Sequence, residues 1–137
     1  MTLLTWWMRI VGALYVFLSV ASSILKIPIE AEGPPGILAA AAGGDPTARF
    51  VVETWFTFGL YLGAIGLGLL VASRAPQRAR ALVVTVIGVE LAGIVADVHK
   101  IANGYPASVS GTWILIHAVL IATGVMALRR AVWPPVA

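Results

Sequence analysis

Between residues 80 and 101 the chain reads RALVVTVIGVELAGIVADVHKI, an apolar run interrupted by two acids. At about 1.5 Å per residue a helix of this length measures roughly 33 Å, enough to cross a hydrocarbon core of about 30 Å. Helix is the expected form, because in lipid every backbone polar group must be satisfied within its own segment. Glu90 falls near the middle of the run and Asp97 lies two turns further on. At about 100° per residue that separation returns to within about 20° of the starting direction, so both carboxylates share one face. Exposure of such a face to lipid is costly, and it is expected to look into a bundle interior or a wet cavity.

Other apolar stretches are available to supply that interior. The spans expected are about 6–27, 50–73, 81–102 and 111–128, with a long outer loop at 28–47. Hydrophobic residues make up 60% of the 137 and charged residues only 11%, at a mean hydropathy of +0.96. A soluble domain of this size could not hide so much apolar surface. The fold class expected is therefore all-α, an integral membrane four-helix bundle forming a single domain over 1–137, in the bacterial cytoplasmic (inner) membrane. A formal charge of +3 does not argue for nucleic acid, since the basic residues sit at the ends of the apolar runs. Without cysteine there is no disulfide or thiolate chemistry.

Trp6, Trp7 and Arg9 open the first run, flanks that fit a retained span with an interfacial anchor better than a cleaved signal. Pro28 is expected to close this helix, and Ser19, Ser22 and Ser23 to bond back to its own carbonyls. In the loop, Gly33-Pro34-Pro35-Gly36 marks a turn, Ile37 to Ala42 has the length of a short surface helix, and Asp45-Pro46 has the form of an N-cap followed by proline. Arg49 and Glu53 are spaced to pair, and Glu53, Thr57 and Tyr61 descend one side of the second span. Gly59-x-x-x-Gly63 permits close helix approach. The termini and the 74–80 loop hold Arg9, Arg74, Arg78, Arg80, Arg129 and Arg130 with no acid, which places both termini in the cytoplasm. Trp133-Pro134-Pro135 forms a short tail.

Counting inward from the outer helix ends puts Asp97 and His117 at one depth, with Tyr15, Tyr61 and Glu90 deeper. An outward-facing polar pocket lined by Tyr15, Glu53, Thr57, Tyr61, Glu90, Asp97 and His117 is expected, suited to a lipophilic small molecule or to assisting a larger membrane system. In an enzyme, Glu90, Asp97 and His117 are the catalytic candidates, with desolvation favouring a neutral Glu90 that donates a proton while Asp97 orients His117. Alternatively these groups are interhelical glue in a structural accessory subunit. His99 points to the opposite side of its helix from Glu90, so neither a metal site nor a cofactor is expected. The partners expected are membrane lipids or a lipophilic molecule, with a larger complex or homo-oligomer open and no nucleic acid.

The segments WWMRIVGALY, GGDPTARFVVETWFTFGLYLGAIGLGLLVASR and VIGVELAGIVADVHKIANGY together resemble the BphX-like small membrane proteins, allied by appearance to the broader DoxX-like group. The resemblance covers nearly the whole chain and implies a four-helix membrane architecture. The family name implies association with genes of aromatic-compound degradation, and it carries no catalytic residue onto Glu53, Glu90, Asp97 or His117. A second likeness, to four-spanning sterol-isomerase-type bundles, rests on architecture alone.

Overall fold

The computed structural model describes residues 2–131, and of residues 30–32 the backbone only. The tail Trp133-Pro134-Pro135 lies outside the described residues. Within them the fold is all-α: α1 Leu3–Ser23, α2 Ile27–Glu32, α3 Ile37–Ala42, α4 Pro46–Ala72, α5 Arg80–Ala102 and α6 Ala107–Arg130, with a 3-10 turn at Pro76–Arg78. Four of these, α1, α4, α5 and α6, are long and apolar enough to cross a membrane. The most apolar 18-residue stretch among them, at a mean hydropathy of 2.2, belongs to α5, although that helix carries the buried acids Glu90 and Asp97.

The helix ends follow from local chemistry. α1 stops at Ser23, short of the expected boundary, because Lys26 takes a left-handed conformation (φ 55°) and caps the new helix α2. Pro28 thus opens α2, in its first turn, where its missing N–H breaks no helical bond, instead of closing α1. At the head of α4 the Asp45 carboxylate accepts the Ala48 N–H at 2.7 Å, the N-cap bond that its spacing from Pro46 anticipates. Arg49 does not pair with Glu53. Its Nε donates to the Ala41 carbonyl at 3.1 Å, supplying a donor to the last turn of α3, where carbonyls lack helical partners.

The chain divides into two compact units, Gly12–Gly68 and the combination of Met1–Val11 with Leu69–Ala137. In the first unit α4 meets the second half of α1 along small residues. A Cβ on Gly66 would stand 2.7 Å from the Gly12 carbonyl oxygen and 2.9 Å from the Val16 nitrogen, and one on Gly59 would collide with the Ser23 hydroxyl. The Ser23 hydroxyl donates across this seam to the Phe56 carbonyl at 3.1 Å, not to its own helix as expected. Here Gly59-x-x-x-Gly63 serves a contact within the chain, since Gly63 likewise abuts Ser19.

In the second unit α5 and α6 pack directly against each other. Ile87 approaches Gly124 while Gly93 approaches His117, so the two helices run antiparallel. Asn103 caps α5, and Gly104 turns the chain at φ 87°, a conformation that side chains rarely adopt. Trp7, 5% exposed, is locked onto α6. Its indole N–H reaches the Thr123 hydroxyl at 3.1 Å and the Leu120 carbonyl at 3.3 Å, and its ring occupies the notch left by Gly124.

Candidate functional site

The buried residues of α5 are Val83, Val86, Glu90 and Asp97, one stripe at helical spacing. On α6 the buried Ser110, Gly124 and Ala127 define a second stripe, and His117 falls seven residues from both Ser110 and Gly124. Antiparallel packing brings the histidine of one stripe onto the acids of the other. Glu90 is 2% exposed and Asp97 4%. The His117 side chain is 21% exposed, making it the most reachable of the three.

One hydrogen bond joins His117 Nδ1 to Glu90 Oε2. The other ring nitrogen, Nε2, stands 3.6 Å from Asp97 Oδ2, and the second Asp97 oxygen accepts from Lys100 Nζ at 2.9 Å. The result is a chain of four ionisable groups, Glu90, His117, Asp97 and Lys100, lying along α5 and bridged once by α6. Counting depth along the sequence places His117 level with Asp97 and Glu90 deeper. Instead the imidazole lies between the two acids and hydrogen-bonds the deeper one.

Gly93 is the residue that makes this possible. It lies on the same side of α5, three residues past Glu90 and four before Asp97. A Cβ there would come within 2.6 Å of His117 Cε1 and Nε2, closer than real atoms approach. The ring therefore lies on the bare backbone of α5 and spans toward both carboxylates, whose backbone positions stand roughly 10 Å apart along the helix axis at 1.5 Å per residue. The signal was present as Glu90-x-x-Gly93-x-x-x-Asp97, a glycine between two acids on one face. Trp113, one turn before His117 on α6, adds a tilted ring at 6.4 Å between centroids.

The arrangement can hold and move a proton. A hydrogen bond between an imidazole nitrogen and a carboxyl oxygen needs one proton, carried by either partner. Either way a proton sits between Glu90 and His117, with Lys100 balancing Asp97. His99, as expected from its angle, takes no part: its ring faces the Asn103 amide, with Nε2 at 3.2 Å. Among the described residues, no group of three or more histidine and acidic side chains is gathered as a metal site.

The remaining expected pocket residues belong to the other unit. Tyr15 is 3% exposed. Glu53, Thr57 and Tyr61 line an open groove of about 450 Å³ on α4, together with Phe50, Thr54 and Phe58. Tyr61 is 66% exposed, and the Thr57 hydroxyl is spent on the Glu53 carbonyl at 2.9 Å.

Four membrane-length apolar helices with an acid–imidazole cluster buried inside a helical pair define a small integral membrane protein, and a lipid environment follows from that. A family model described as BphX-like matches residues 1–132, and the chain belongs to the BphX-like family, with an integral location in a bacterial membrane. No curated protein and no solved structure matches it.

Proposed function

We propose that the protein transfers protons to and from a lipophilic substrate at the Glu90–His117 pair, in the manner of a membrane isomerase. The observation that supports this reading is the hydrogen bond between a buried carboxyl and a partly accessible imidazole inside an apolar helix pair. In such a reaction the Glu90 carboxyl protonates one carbon of an unsaturated substrate while His117 removes a proton from another. The double bond shifts, the proton on His117 Nδ1 passes to Glu90 through their hydrogen bond, and tautomeric exchange of the imidazole through water restores the starting state. Atoms and charge balance without a redox partner. Asp97 orients the imidazole and Lys100 offsets the charge of Asp97. A lipophilic substrate suits a site set inside an apolar helix pair, with the partly accessible imidazole as its point of contact.

A second reading, a structural clamp between α5 and α6, is favoured by one observation. Among the described residues no buried side-chain nitrogen or oxygen lacks a hydrogen-bond partner, as interhelical glue requires. Incubating the purified protein with a membrane lipid extract in D2O separates the two readings by mass spectrometry. Proton transfer labels a lipophilic compound with deuterium, and both Glu90→Gln and Glu90→Leu abolish the label while Glu90→Gln keeps the fold. Absence of label with the native protein leaves the clamp, for which Glu90→Gln is tolerated and Glu90→Leu lowers the melting temperature.

Both termini are proposed to be cytoplasmic. The six arginines of the termini and the 74–80 loop support this orientation. A reporter fused at the C-terminus is expected to read cytoplasm and one at Gly43 the exterior; the reverse pair of readings overturns the orientation.

A further inference from the structure

The antiparallel register of α5 and α6 brings the start of one beside the end of the other. Arg80 opens α5 and Arg129 and Arg130 close α6. The 3-10 turn at Pro76–Arg78 packs on α5, which adds Arg78 and the nearby Arg74 to the same end. Arg9 is tied there as well, its Nε donating to the Ser73 hydroxyl at 3.3 Å. One end of this unit therefore gathers six arginines and not a single lysine, with no acid in any of the contributing segments. Arg74, Arg78, Arg129 and Arg130 are all exposed. Among the described residues none of these four guanidinium groups meets a carboxylate.

We infer that this end binds the phosphate headgroup of an anionic glycerophospholipid. Three features select that ligand. Guanidinium forks bind phosphate oxygens in pairs, which an ammonium cannot do, and every cation of the cluster carries a fork. Basic groups between or beside helix ends at the membrane surface are the settings in which acidic lipid headgroups are held. The third feature is the apolar surface directly inward. Val71, Val84 and Met126, about one turn inside Arg74, Arg80 and Arg129, are 64%, 52% and 47% exposed. A molecule with a phosphate at one end and acyl chains at the other meets both surfaces at once, whereas free phosphate meets only the first.

Native mass spectrometry of the full-length protein in detergent tests this with cardiolipin, phosphatidylglycerol and phosphatidylcholine at equal concentration. The anionic lipids are expected to remain bound in preference to phosphatidylcholine. Each guanidinium near an acidic headgroup contributes about fivefold, so Arg78→Gln/Arg129→Gln is expected to weaken cardiolipin binding by about 25-fold. That variant leaves four arginines to set orientation. Equal retention of phosphatidylcholine by the native protein overturns the proposal whether or not the variant folds. So does full displacement of cardiolipin by millimolar inorganic phosphate, which would mark a site for the free anion. Unchanged cardiolipin preference in a folded double variant overturns it too.

Discussion

The seam between α1 and α4 and the seam between α5 and α6 both depend on glycine, but the missing side chain does different work in each. On α4, Gly66 lies against backbone, the Gly12 carbonyl and the Val16 amide, and the benefit is van der Waals contact between main chains. On α5, Gly93 lies against an imidazole, and the benefit is a place for a polar ring between two acids. The first seam is sealed by small groups, the hydroxyls of Ser19 and Ser23 among them. The second is built around ionisable groups that are costly in an apolar surround and survive there by pairing. A close approach between membrane helices is thus either packing or a socket, and the atom facing the glycine tells which.

The sharpest way to break this comparison is to add one methyl group to each seam. Gly66→Ala is expected to cost about 2–3 kcal/mol, because main-chain atoms at 2.7 and 2.9 Å cannot yield without separating the helices. Gly68→Ala, with nothing within 4 Å of its added carbon, is the control and should stay within about 0.5 kcal/mol. Thermal unfolding in detergent reads both. A similar loss at the two positions would mean that α4 resists any substitution and that the contact with Gly12 is incidental.

Gly93→Ala is expected to cost less, about 1–2 kcal/mol, since the ring it meets can swing aside where backbone cannot. The loss should appear in the site instead. Nitrogen-15 NMR of the labelled imidazole is expected to show His117 Nδ1 released from Glu90 in Gly93→Ala and held in Gly66→Ala. Unaltered imidazole signals in Gly93→Ala would show that the ring does not depend on the bare backbone.

The same difference explains which parts of the site were visible in the residues. The shared face of Glu90 and Asp97 follows from helical periodicity, a property of one segment, and both are buried. Counting depth places His117 beside Asp97, but it resolves position along a helix only to about a turn. The imidazole is long enough to reach a carboxyl on either side of its own level, and Gly93 lets it do so. Ser23 escaped for a related reason. A serine on a helix can bond inward to its own turn or outward to a neighbour, and only the approach of Gly59 brings the Phe56 carbonyl within reach.

By itself the sequence determined the number and apolarity of the four membrane-length helices, the Asp45 cap, the basic ends and the family. These rest on composition, local backbone chemistry and periodicity, each of which is written along a single segment. Tertiary structure alone decided that Glu90 and Asp97 share one histidine, that Arg49 turns back to Ala41 and that Trp7 fills the notch at Gly124. Each of those depends on the rotation and axial shift of one helix against another. Packing of small residues sets both quantities, and a displacement of less than one turn is enough to exchange one polar partner for the next.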